Sequence, residues 1–132
     1  MRAVADTHAL IWYLFDDRRL SRIAKQFIDN AAKEGKQIGF SSISVVEIVY
    51  LVEKKKIKPD TLKRLLNETQ SGDTALVEVP VTGKIAQTMQ SISRETVPDM
   101  PDRIIAATAL ELNIPVISRD GKIKVSGLKT IW

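Results

Sequence analysis

The sequence has no cysteine and only one histidine, His8. Without thiols, a disulfide scaffold and a thiolate metal site are both excluded, and a reducing cytoplasm is the natural setting. Nucleophilic triads fall for the same reason, because no motif places a serine and a carboxylate around His8. Long apolar runs are also missing, so no segment is long enough to span a bilayer. The chain opens on Arg2-Ala3-Val4-Ala5, without the basic start and apolar stretch of a secretory leader. Together these predict a soluble, cytoplasmic protein with no membrane partner. Glycine is sparse, six in 132 residues, and neither G-x-x-x-x-G-K nor a G-x-G-x-x-G after the first strand occurs, which excludes nucleotide-binding enzymes of those kinds.

What is present fits one compact domain spanning residues 1–132, with 44% apolar and 27% charged residues and no linker, repeat or low-complexity tract. The formal charge of +4 favours a polyanion partner, although a solvated basic surface explains it equally well. Basic residues gather at Arg18, Arg19, Arg22 and Lys25, at Lys54 to Lys58, and at Arg119, Lys122, Lys124 and Lys129.

Apolar periodicity predicts alternating strands and helices. A strand ends at Asp6 and leads into a dense apolar helix, and a second helix runs from Ser21, its N-cap, to Glu34, with Gly35 as its stop. Gln37 to Ser41 is a strand, Ser44 to Lys54 an apolar helix expected to be buried, Asp60 to Thr69 a helix capped by Asp60, and Ala75 to Val79 a strand. Thr82 to Ser93 and Pro101 to Leu112 are helices, followed by strands at Pro115 to Ile117 and Lys129 to Trp132. Such alternation implies a mostly parallel sheet covered on both faces, a three-layer α/β/α sandwich whose ligands gather at the carboxyl ends of the strands.

Four carboxylates fall at that edge, and each has a purely structural explanation beside a chemical one. Asp6 follows the first strand and is also placed to cap the next helix. Glu47 lies in an apolar helix, where it needs a partner, yet Ser44-x-x-Glu47 matches a capping box. Asp102 is an ordinary first-turn acid beside Asp99, a candidate cap, and Asp120-Gly121 reads as a turn. Four acids from separate elements at one edge are harder to explain without a cation that offsets their repulsion. Oxygen-only ligands suit magnesium or manganese, and hence phosphoryl chemistry.

The segments Val4-Ala5-Asp6-Thr7-His8-Ala9-Leu10-Ile11-Trp12, Ser44-Val45-Val46-Glu47-Ile48, Asp102-Arg103-Ile104-Ile105-Ala106-Ala107-Thr108-Ala109 and Ile117-Ser118-Arg119-Asp120 together resemble the PIN-domain family, most closely the VapC-like toxins of type II toxin–antitoxin systems. The resemblance spans the chain and implies five strands and an acid cluster holding Mg2+ or Mn2+. It also implies an endoribonuclease that cuts single-stranded or looped RNA, a homodimer, and a cognate antitoxin that covers the cleft. Asp6, Glu47, Asp102 and Asp120 match the family's acidic positions; Thr7 and Ser118 match supporting hydroxyls, and Asp99 a further acid. Arg119 and Lys122 flank the site as candidate phosphate contacts. Trp12 and Tyr13 are read as core or dimer contacts rather than as base-stacking platforms. A phosphotransfer receiver domain fits poorly, since Ala75 to Val79 leads into Pro80-Val81-Thr82 with no phospho-acceptor acid. A PIN-like module that binds without cutting is the other alternative, and the presence of all four acids speaks against it.

Overall fold

The computed structural model describes all of residues 1–132. Five strands, β1 (Ala3–Ala5), β2 (Ile38–Ser41), β3 (Leu76–Val79), β4 (Val116–Ile117) and β5 (Thr130–Ile131), form one sheet in the order β3-β2-β1-β4-β5. Every pairing is parallel, with Val4 opposite Gly39 on one side and Val116 on the other. The connections are helical: α1 (Thr7–Leu14), α2 (Arg22–Lys33), α3 (Ser42–Glu53), α4 (Thr61–Gln70), α5 (Gly83–Thr88) with a following 3-10 turn (Met89–Ser91), α6 (Met100–Leu112) and α7 (Gly121–Val125). No helix is long and apolar enough to cross a membrane.

The period-two alternation of a strand sorts the core into two layers. Ala3, Ala5, Ile38, Phe40 and Ile117 pack with Leu10, Ile28, Ile48 and Leu65 beneath α1 to α4. Val4 and Val116 point the other way, against Ile105, Ala109 and Ile123 of α6 and α7. A third cluster, Ile85, Ile92, Val97, Ala106 and Ala107, fixes α5 and the 3-10 turn to the outer side of α6. From β1 the chain winds outward through β2 to β3, then returns past β1 to lay down β4 and β5. The strand order therefore reverses between β1 and β4, where a parallel sheet opens its ligand crevice at the carboxyl edge.

Several local expectations hold. Ser21 caps α2 by accepting the Ala24 amide at 3.0 Å, and Gly35 ends it at φ +66°, a left-handed conformation that costs glycine little. Others need correction. The helix expected from Ser44 starts at Ser42 with Ser41 as its cap, so Ser44 lies inside α3 and the Ser44/Glu47 capping box does not form. Nor is α3 buried all round, because it covers Ser44 and Ile48 and leaves Val46, Val49 and Tyr50 exposed. Asp60 accepts no cap bond; the Thr61 hydroxyl donates to the Lys58 carbonyl instead. The helix expected across Thr82 to Ser93 tightens into the 3-10 turn at Met89, and Asp120-Gly121 opens α7 instead of a simple turn.

Candidate active site

At the β1/β4 crevice the backbone ladder runs one step beyond the strands. The Asp6 amide donates to the Ile117 carbonyl at 3.0 Å, and the Ser118 amide donates to Ile131 at 3.2 Å. Asp6 and Ser118 thus leave neighbouring strands side by side. Asp6, Glu47, Asp99, Asp102 and Asp120 line one cleft of about 320 Å³ together with His8, Trp12 and Arg119. All four acids singled out from the sequence meet there, and Asp99 joins them.

Helix capping fixes three of these carboxylates. Asp6 accepts the Ala9 amide at 2.8 Å and begins α1; Asp99 accepts the Asp102 amide at 3.0 Å and begins α6; Asp120 accepts the Lys122 amide at 2.9 Å and begins α7. In each case one carboxylate oxygen is committed to the helix and the other is left free of backbone bonds. The structural and chemical explanations of these acids are therefore one geometry: a cap that locks the rotamer also aims the remaining oxygen. Three helix N-termini converge here, and their partial positive charge offsets some of the repulsion.

Glu47 is held differently. The Thr7 hydroxyl, 3% exposed, donates to Glu47 Oε1 at 2.5 Å. Its oxygen lies 2.8 Å from Ser44 Oγ, and because the single Thr7 hydrogen is committed to the carboxylate, Ser44 must be the donor in that pair. The buried chain Ser44 to Thr7 to Glu47 replaces the capping box and ties α3 to the start of α1. Ser118, 2% exposed, accepts the Asp120 amide at 2.9 Å and touches the Asp6 carboxyl. Both hydroxyls inferred from sequence thus brace acids rather than line the cleft.

Crowding and burial raise the acids' proton affinity. Asp102 is pushed up to about 7, chiefly by loss of water and then by the charges of Asp99, Asp120, Glu47 and Asp6. Asp6 is raised by burial against the opposing pull of Ser118 and the Ala9 amide, and Glu47 is raised by burial against the Thr7 bond. A cleft in which several carboxyls resist ionisation is matched to a cation.

The donor set bears on which cation would fit. It is all oxygen, which suits a hard cation such as magnesium or manganese and does not suit the nitrogen and sulfur preference of zinc. No three side chains close into a ready-made coordination shell. Magnesium bound at such a site keeps several waters alongside its carboxylate and phosphate oxygens. The residues present fit such an ion.

The basic and aromatic candidates divide. Arg119 lines the cleft with its guanidinium 4.6 Å from the centre of the Trp12 ring, whereas the exposed Lys122 side chain is not among the lining residues. Trp12 is a core residue whose ring reaches the cleft, packed edge-on against Trp132 at 5.9 Å. Tyr13 donates its hydroxyl to Asp29 at 2.9 Å and faces elsewhere. His8, set aside in the sequence because it had no triad partner, also lines the cleft, 5.6 Å from Trp12. The signal for it was its spacing, one helical turn before Trp12 and two residues after Asp6.

This α/β fold, with acids gathered at its switch point, is that of the PIN domain: the model of that family matches residues 3–126, and the chain belongs to it. It is 26% identical over 119 residues to Ribonuclease VapC22 of Mycobacterium tuberculosis, a match covering 90% of this chain and 87% of that protein. Among solved structures, a toxin-antitoxin complex from Klebsiella pneumoniae superposes with a TM-score of 0.60 at 26% identity, covering 91% of this chain and 88% of the other. The crystal structure of VapBC2 from Rickettsia felis bound to a DNA fragment from their promoter gives 0.73 at 19% identity over 98% and 97%, a likeness of fold.

Proposed function

We propose that this chain, acting as a single domain, is a VapC-like ribonuclease and the toxin of a toxin–antitoxin pair. It uses magnesium or manganese held by Asp6, Glu47, Asp102 and Asp120 to hydrolyse RNA phosphodiesters. The observation that carries the reading is the convergence of five carboxylates, from the end of β1, the middle of α3 and the starts of α6 and α7, in one open cleft. A relative over nine tenths of the chain is named a ribonuclease, and a structure with comparable identity is a toxin-antitoxin complex, which supports both halves of the proposal.

When bound, the cation supplies water of lowered pKa and neutralises charge on the phosphate. The chain's own residues position and discharge. Asp6 and Asp120 offer the oxygens their caps leave free, while Thr7 holds Glu47 in place. Asp102, pushed up to about 7, is partly protonated in the free cleft at neutral pH and gives the proton up when positive charge enters. Arg119, set over Trp12, stands where it meets a phosphate oxygen. An antitoxin segment covering this cleft, and a homodimer in the cell's cytoplasm, belong to the same proposal.

The test uses purified chain and an Asp6→Asn variant with total RNA, in magnesium, manganese or chelator. Asparagine caps a helix as well as aspartate does, so the variant keeps its fold. Losing a ligand forfeits several kcal/mol, so we expect metal-dependent cutting by the wild type and a rate lower by roughly 100-fold or more in the variant. RNA binding without cutting by either protein would replace the enzyme with a binding module.

A further inference from the structure

We propose that a second pocket, beside the acidic cleft and separated from it by α1, binds the sugar–phosphate backbone of the RNA strand next to the bond being cut. This rests on the ribonuclease reading. The pocket, about 400 Å³, is lined by Ile11, Phe15, Arg19, Lys55, Lys56 and Lys58 among others. Its one acid, Asp17, is already gripped by Arg19 through two bonds, Nε to Oδ1 at 3.1 Å and Nη2 to Oδ2 at 2.8 Å. The three lysines join none of the chain's four ion pairs. With Arg19 they make four cations against the single carboxylate of Asp17, an excess of exposed positive charge on a concave surface, which calls for an anionic occupant.

Continuity with the cleft argues for RNA. On α1, His8 and Trp12 line the acidic cleft while Ile11, with Phe15 at the helix C-cap, lines the basic pocket, so one helix forms the ridge between them. Arg19 lines the pocket and also lies over Trp12, 5.1 Å from the ring centre, while Arg119 lies 4.6 Å from the same ring on the cleft side. Charge of the right sign therefore runs from the cleft across Trp12 into the pocket, about 10 Å along the axis of α1 from His8 to Phe15. Phe15 supports cations rather than offering a bare stacking face, since Lys58 Nζ lies 4.7 Å and the Arg64 guanidinium 4.5 Å from its ring centre. The pocket thus suits phosphates rather than bases. Five carboxylates repel a polyanion, and cations beside them offset that repulsion.

The experiment measures binding of a fluorescein-labelled single-stranded RNA of mixed sequence by anisotropy, in chelator so that nothing is cut, over a salt series. Each phosphate contact on single strands contributes roughly 0.7 to the slope of log affinity against log salt. The K55Q/K56Q/K58Q variant should bind more weakly, with a slope shallower by about 2. The K55R/K56R/K58R variant should keep the wild-type slope. A K33Q/K36Q/K129Q control removes three charges at the opposite, amino edge of the sheet and should change neither value. Thermal melts confirm that all variants fold. An unchanged slope in K55Q/K56Q/K58Q, with the wild type still cutting RNA in manganese, overturns the pocket's role and leaves the nuclease intact. Wild-type chain that binds RNA through these lysines but never cuts overturns the nuclease and keeps the pocket. If the three lysines govern binding of poly-glutamate and not of RNA, the occupant is an acidic protein segment and the proposal fails.

Discussion

Beneath α1 to α4, the layer containing Leu10, Ile28, Phe40, Ile48 and Leu65 is almost without exposure and built of apolar side chains. At the carboxyl edge of the same strands, five carboxylates share one cleft, and three of them are pushed toward their protonated forms. The first region gains about 25 cal/mol for each Å² of apolar surface taken from water. The second works against folding, because burial and like charge both penalise the ionised state. The difference teaches that stability and chemistry occupy adjacent but separable parts of the domain, so substitutions in the two regions should move different observables.

The sharpest break in that contrast is in the core. Phe40→Ala should cost about 3–5 kcal/mol, read as a fall in denaturant midpoint, while cutting per folded molecule stays near wild type. A loss of activity at unchanged stability would show that the two regions are not separable. Thr7→Val is next: it keeps volume but removes the hydroxyl that holds Glu47. Metal affinity, measured by calorimetry, should weaken by roughly 10–100-fold, and because the buried Ser44 hydroxyl loses its acceptor, stability should fall by about 1–3 kcal/mol. A third expectation concerns pH in metal-free protein. Asp102 sits near 7 when folded against an ordinary value of 3.8, so between those values the folded chain keeps a proton that the unfolded chain has released. The stability this gives is complete below the lower value and is lost as pH rises through the higher one. Melting temperature in chelator should therefore fall between about pH 4 and about pH 7 and level off above it, and Asp102→Asn should flatten the fall. An equally steep fall in that variant would assign the dependence to other groups. Smallest of all, Ser21→Ala removes a cap remote from the cleft and should cost about 1 kcal/mol with no effect on cutting, whereas a measurable effect would mean that α2 communicates with the site.

Much of this was legible in the sequence for a physical reason. Asp6 and Asp120 each follow a short apolar strand, and in a parallel sheet the residue after a strand sits at the ligand edge whatever the details of packing. Asp102, in the first turn of α6, is brought to that edge by the same alternation. The errors came where several local signals competed. Ser41, Ser42 and Ser44 are all plausible caps for α3, and the choice is made by a long-range bond from Ser44 to Thr7 that no local pattern reveals. Asp-Gly is common to turns and to helix starts, and a five-residue helix such as α7 is too short to show periodicity. The exposed stripe of Val46, Val49 and Tyr50 was mistaken for buried surface because hydrophobicity reports what a side chain prefers, not which side of a helix the sheet lies on. Lys122 is four residues from Ser118, yet its side chain leaves the cleft because α7 begins between them.

The caps at Asp6, Asp99 and Asp120 have a consequence for how such a domain changes over generations. Asparagine satisfies the same amides, so replacing any of these acids leaves a foldable descendant that has lost its charge. Folding therefore exerts no pressure to keep a carboxylate at these three positions. Under the proposed function, whatever preserves the acid there acts through the charge it brings to the cleft, and a lineage released from that demand can fall silent in one step while keeping its shape.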